Sequence, residues 1–298
     1  MSFNGTSRII ENLGSNWRNN YLILTLRQIF KNKLAVAATI YLLAFITIII
    51  LADVIAPFDP TEMHMEDTLV GPNATYKVGT DDSGRDIFSR VLYGGRISLR
   101  VGFISAGIAI SLGLPLGLAS GFYGGNTQTI ILRAVDVMLA FPSLLLALIV
   151  VAILGKGVDQ VMIAVGIANV PTFVRVVNSS VITMKENEYI MAGRVIGASD
   201  FRLVTRHVLP NIVAPVIVMA TLYVAGGILS ASSLSFLGLG AQPPSPEWGA
   251  MISRGRHNLR LSPWMSTFPG LAIASIVISL NVIGDALRDA LDPWMRAR

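Results

Sequence analysis

VGFISAGIAISLGLPLGLASGFYGGNTQTIIL, residues Val101–Leu132, runs for 32 positions without an aspartate, glutamate, lysine or arginine. A charge at the centre of a bilayer costs roughly 2.5–3.5 kcal/mol on insertion scales, so a charge-free run of this length marks chain that has left water. Five more such runs flank it: Leu34–Ala52, Val137–Gly155, Gln160–Val174, His207–Pro246 and Leu261–Gly284. A spanning helix needs about 20 mostly apolar residues. The runs therefore predict an all-α, polytopic membrane protein with six transmembrane helices, near 34–55, 97–121, 129–154, 160–178, 211–236 and 266–286. The fourth is interrupted by Asn169, Pro171 and Arg175 and is expected to face protein.

Composition over the 298 residues agrees. Hydrophobic residues make up 53% and charged residues 14%, against about 25% charged in a soluble domain. The absence of cysteine excludes a disulfide scaffold, a thiolate metal site and a cysteine nucleophile. The three histidines, His64, His207 and His257, lie far apart, which argues against a metal cluster. A net charge of +5 is explained by the positive-inside rule, without a nucleic-acid partner. Fourteen of the 23 Lys and Arg fall on the side shared by both termini, which is then cytoplasmic; Arg254, Arg256 and Arg260 vote the other way. No cleavable signal precedes residue 34, so the first span is read as uncleaved. Ahead of it, Trp17, Tyr21, Leu24, Ile29 and Phe30 alternate with Arg18, Arg27, Lys31 and Lys33, as in a helix lying in the headgroup region or a solvated tail. The chain divides into an anchor with an outside loop, 1–96, and a five-helix body, 97–298.

No residue set suggests a reaction. Gly155-Lys156-Gly157 lacks the spacing and the hydroxyl of a phosphate-binding loop, so any ATP must be bound by another chain. Charges sit at the expected span ends, as Arg133 with Asp136 at i, i+3, and as Asp285, Arg288 and Asp289, read as a helix-end ion pair at the inner surface. The lack of midplane charge argues against a self-contained ion-coupled transporter. Met63-His64-Met65 offers too few ligands for a metal site.

The most specific segment lies between the fourth and fifth spans, at 185–210. Met184 to Ile196 reads as a short helix that Gly197 ends, since glycine takes a left-handed cap without strain. Ser199 suits the amino cap of a second short helix, limited by Pro210. Small residues at Ala192, Gly193, Gly197 and Ala198 would allow a partner's backbone to approach.

The spacing Ala192-Gly193-x(3)-Gly197-x(9)-His207-x-Leu209-Pro210 resembles the EAA loop of the membrane subunits of ATP-binding-cassette importers, with Met191, Gly193 and His207 in place of the signature's glutamate, second alanine and isoleucine. Gly79-Thr-Asp-Asp-Ser-Gly-Arg-Asp-Ile-Phe-Ser-Arg90, Phe236 to Met251 and Asn281 to Pro293 narrow the resemblance to the C-type permease subunit of dipeptide, oligopeptide and nickel uptake systems. It implies a type I importer permease fold in a bacterial or archaeal inner membrane. It also implies a second related permease, two ATPase subunits carrying ATP and magnesium, and an extracytoplasmic binding protein. By position, Met191, Ala192, Gly193, Gly197, Ala198, Ser199, Leu209 and Pro210 would couple the chain to the ATPases. The same architecture could carry nickel chelates, opines, glutathione or oligosaccharides.

In Gly79–Arg90, Asp81-Asp82-Ser83-Gly84 reads as a turn. The following helix places Arg85, Asp86 and Arg90 toward water and Ile87, Phe88, Val91 and Leu92 toward lipid. It is expected to be an interfacial anchor or, alternatively, a docking surface for the binding protein. Three prolines in Gly240–Gly249 predict a stiff bend, a rigid outer lip or a plain turn.

Overall fold

A computed structural model describes residues 31–291. The interfacial pattern around Trp17, Tyr21, Leu24, Ile29 and Phe30 lies outside those residues. Helix α1 (Lys33–Ile50) begins where Asn32 Oδ1 accepts hydrogen bonds from the Leu34 and Ala35 amides, and a single turn, α2 (Ala52–Ile55), follows it. Next come α3 (Ile87–Tyr123), α4 (Gly125–Leu139), α5 (Ser143–Leu154) and α6 (Val158–Lys185). The hairpin helices α7 (Glu188–Val195) and α8 (Asp200–Leu203) precede α9 (Leu209–Phe236), α10 (Trp248–Gly255) and α11 (Trp264–Leu291). Among the described residues there is no strand beyond one isolated bridge, Thr80 with Asp86.

The predicted third span is not one straight helix. Chain direction bends by 90° between α4 and α5, because Pro142 has no amide hydrogen to give and disfavours helical geometry at Phe141. The broken pair still crosses as one unit. Gly121, in the last turn of α3, lies beside Lys185, whose Nζ donates to the Gly121 carbonyl at 3.2 Å, so α3 and α6 finish on one face. Gly157, just before α6, donates to the carbonyl of Leu239 at 3.0 Å on the opposite face. Only α4 and α5 can carry the chain back between those faces, and the described residues make six crossings. Helix α1 reaches that opposite face too, where Arg96 Nε meets the Ile49 carbonyl at 3.0 Å. Both ends of the described chain, Lys31 and Leu291, therefore lie on the same face as the 185–210 hairpin.

Helix α3 starts ten residues earlier than predicted because Asp86 caps it: Oδ2 accepts from the Ser89 amide at 2.8 Å. It is the central post of the body. Gly113, Gly117 and Gly121 recur every fourth residue and press against α6. A Cβ on Gly117 would lie 2.5 Å from Val177 Cβ and 3.0 Å from the Val174 carbonyl. Small residues at that spacing let helices close on one another where lipid supplies no hydrophobic drive between them. Asn178 Nδ2 donates to Ser120 Oγ at 2.8 Å in the same seam. At the other end of α3, Trp248 is wholly buried and donates from Nε1 to the Val91 carbonyl at 2.9 Å.

Candidate functional site

The 185–210 hairpin closes the face where α3 and α6 end. Helix α6 runs through Met184 to Lys185, and α7 starts at Glu188, four residues later than the sequence suggests. Gly197 has φ +83°. Its amide donates to the Arg194 carbonyl at 3.0 Å and the Ala198 amide to the Gly193 carbonyl at 3.0 Å, the paired bonds of a glycine-terminated helix end. Ser199 then caps α8, its Oγ accepting from the Arg202 amide at 3.4 Å. The two short helices are thus held at a fixed angle by backbone bonds.

Pro210 does not limit the second helix. The chain continues from α8 through a wide turn at Val204–Val208 directly into α9. Pro210 cannot donate to the Arg206 carbonyl and its ring would crowd it, and a wider turn relieves both problems without ending the helix. The hairpin and the fifth span therefore form one continuous run, Asp200–Phe236.

One side of the hairpin is anchored: Ile190, Leu203, Val208 and Ile212 are buried in a cluster with Phe122, Phe173, Val177 and Val181, and the Arg194 guanidinium sits 5.0 Å from the centre of the Phe122 ring. The other side is bare. Val195, Ile196 and Phe201 are 87%, 83% and 79% exposed, with Met191 exposed beside them. Ala192 shares the open side. Gly193 does not, since a Cβ there would meet Leu203 Cδ2 at 2.8 Å; its smallness lets α7 close on α8 rather than admitting a partner. Leu209 is half-buried and Pro210 exposed at the start of α9. The sequence pointed to the small residues here, whereas the structure adds the large apolar ones.

On the opposite face the Gly79–Arg90 segment departs from its amphipathic reading. Arg85, Asp86 and Arg90 are only 1%, 1% and 3% exposed. Asp81 accepts from Arg85 Nε at 2.8 Å and from the Arg85 and Ser83 amides at 3.0 and 2.9 Å. Arg90 Nη1 donates to the carbonyls of Pro60 and Pro244, and Arg254 approaches Asp82 at 3.8 Å. Gly84, at φ +73°, touches the His64 backbone so closely that a Cβ would overlap the carbonyl oxygen. These charges neutralise one another and knot the 56–86 loop to the 240s segment, which is why they can be buried. Helix periodicity cannot show that, because the Arg90 partner at Pro244 lies 154 residues away. His64 packs edge-on to Phe58 beside Tyr76, and Tyr76 donates to Asp67 Oδ2 at 2.8 Å, which pushes its phenol up to about 12.

The 237–247 stretch is non-helical, as its prolines predict. It delivers Glu247, buried, to the start of α10, where its two carboxylate oxygens accept from the Gly249 and Ala250 amides at 3.0 and 2.9 Å. Burial pushes that carboxyl up, against the pull of both amides.

Asp285, Arg288 and Asp289 are exposed, and no ion pair within 4.0 Å joins them among the described residues. Exposed side chains gain little from such a contact in water. Asp136 pairs with Arg175 of α6 across the helix interface, not with Arg133. That partnership links positions 39 apart, and neither residue sits at a span end.

Residues 113–297 match the family described as "Binding-protein-dependent transport system inner membrane component", and residues 20–72 match "N-terminal TM domain of oligopeptide transport permease C". The chain is 46% identical over 283 residues to the dipeptide transport system permease protein DppC of Alkalihalophilus pseudofirmus, covering 95% of this chain and 91% of that one. It is 42% identical over 272 residues to the glutathione transport system permease protein GsiD of Pectobacterium atrosepticum, covering 91% and 90%. A solved inward-facing MetNI methionine ABC transporter superposes with a TM-score of 0.56 at 19% identity, over 68% of this chain and 96% of that one, which is a likeness of fold.

Proposed function

The chain belongs to the family of binding-protein-dependent transport system inner-membrane components, and on that premise we propose that it is one half of the pathway of an ATP-driven importer of dipeptides and short oligopeptides. It works with a second, related permease, two ATPase subunits that bind ATP and magnesium, and an extracytoplasmic binding protein that selects the cargo. The permease holds no nucleotide or cofactor of its own. The hairpin face, with both ends of the chain, is cytoplasmic.

The observation that carries the coupling role is the bare apolar surface of the hairpin. Met191, Val195, Ile196 and Phe201, all exposed within eleven residues of the hairpin, have no lipid to cover them if the hairpin projects beyond the spans, and exposed apolar surface of this kind marks contact sites. Ala192, Ala198 and Ser199 frame the patch, Gly193 and Gly197 set its shape, and Leu209 with Pro210 begins the helix that receives the motion. Because α8 runs unbroken into α9, a displacement of the hairpin by an ATPase is transmitted to a full transmembrane helix. Relatives named for dipeptide transport are 46% and 43% identical and those named for glutathione transport 42% and 44%, so uptake assays compare a dipeptide with glutathione directly.

The test is Ile196→Asp in the assembled complex. The account expects loss of the ATPases on purification, with the partner permease retained and the fold intact. ATPases that remain bound at parental stoichiometry would remove the hairpin patch from the interface.

A further inference from the structure

The ion pair between Asp136 and Arg175 is placed where lipid cannot be its environment. Helix α6 has 28 residues, so it is about 42 Å long, and Arg175 stands about 15 Å from its hairpin end. The hydrocarbon layer is about 30 Å thick, which sets Arg175 inside it on any centred placement of the helix. Asp136 reaches Arg175 from α4, eleven residues beyond the start of that helix. Both side chains are nevertheless 55% exposed.

No other part of the described chain covers them, and charges at such depth are kept from acyl chains by a partner's protein or by water. Polar groups stand exposed beside them, together with the apolar Val137 on α4. Thr172, Arg175 and Ser179 follow one another at i, i+3 and i+7 on one face of α6, and Arg133 lies one turn before Asp136 on α4. The buried side of α6 is apolar, with Val170, Phe173, Val174 and Val177 packed inward. A spanning helix that keeps its apolar face for protein and leaves its polar face open inverts the pattern suited to lipid.

We propose that this α4–α6 face is a wall of the water-filled passage and that the Asp136–Arg175 pair is a subsite for the charged ends of a peptide. The carboxylate of the Asp side chain accepts a peptide ammonium, and the guanidinium of Arg175 takes a peptide carboxylate through two parallel N–H bonds. In the absence of cargo the two groups satisfy each other. A zwitterion replaces their mutual contact with two equivalent contacts, so it can enter and leave without stranding a charge. The assignment of cargo rests on the peptide reading above, whereas the wetness of the face does not.

The chain contains no cysteine, so single cysteines can be introduced at Thr172 and Ser179 and followed by mass on this subunit. In the full complex in lipid nanodiscs, a membrane-impermeant charged thiol reagent should modify both. Saturating binding protein loaded with dialanine, with ATP, should slow that modification severalfold. Asp136→Asn and Arg175→Gln should each lower dialanine uptake about tenfold or more, the loss expected for one charge-assisted contact, while leaving the thermal stability of the complex unchanged. Cysteines that never react in any nucleotide state would overturn the proposal, as would labelling indifferent to peptide, or neutralised variants that import at the parental rate. A parental complex that imports no dialanine refutes the peptide reading instead, and thiol reactivity then still decides whether the face is wet.

Discussion

Two alanine substitutions in the same helix should have opposite effects. Gly117 and Gly107 both lie in α3, but a Cβ on Gly117 would sit 2.5 and 2.7 Å from Val177 Cβ and Cγ1 and 3.0 Å from the Val174 carbonyl, whereas nothing lies within 4 Å of one on Gly107. Ordinary carbon contacts are about 3.5–4.0 Å. Gly117→Ala therefore forces α3 and α6 apart by about 1 Å, because the obstructing atom is a branched Cβ next to the backbone and cannot rotate away. Overpacking of this sort costs about 1–3 kcal/mol. Gly107→Ala meets no obstacle and gains up to about 1 kcal/mol in helix propensity. The expected gap between the variants is about 1–4 kcal/mol, which separates the unfolding midpoints of the purified complexes measured at a common heating rate. Equal midpoints, or a more stable Gly117→Ala, would mean that α3 and α6 do not pack as described.

Gly197→Val should leave the complex assembled but reduce peptide-stimulated ATP hydrolysis and uptake, because a β-branched residue resists φ +83°; Gly197→Asn, which tolerates that conformation, should keep most of both. Arg90→Ala takes the side-chain donor from the buried Pro60 and Pro244 carbonyls, while Asp81 keeps Arg85, at a cost of about 1–3 kcal/mol for each carbonyl left unmatched, so the amount of assembled complex recovered from membranes should fall; recovery at parental levels would contradict the knot. The Tyr76 phenol, pushed up to about 12 by Asp67, supports the loop below pH 10, and that support is lost as pH rises toward 12. Difference absorbance against Tyr76→Phe should show one tyrosine titrating in that late window, and none there would break the assignment.

The six crossings were legible in the sequence because lipid excludes charge, and charge-free runs can be read without knowing any partner. The hairpin was legible for a similar reason: a left-handed glycine at Gly197 and an oxygen cap at Ser199 are local requirements with local signatures. Contacts between distant residues left no such trace. Arg85 and Arg90 read as surface charges since their neutralising partners include a carbonyl at Pro244, and Asp136 was matched to Arg133 on its own helix when its partner was on another. The bend at Pro142 was visible as a proline, but its size was not, because the tolerance of a break depends on what packs around it.

We propose that this chain moves cargo only as a coupled part of a larger assembly. Reconstitution into proteoliposomes decides it, with and without the second permease, the ATPases and the loaded binding protein, by measuring dipeptide uptake as ATP is added. The account predicts uptake only with all components and ATP present, and its loss in the Ile196→Asp variant. Uptake by this chain alone, driven by an ion gradient and indifferent to ATP, would contradict it.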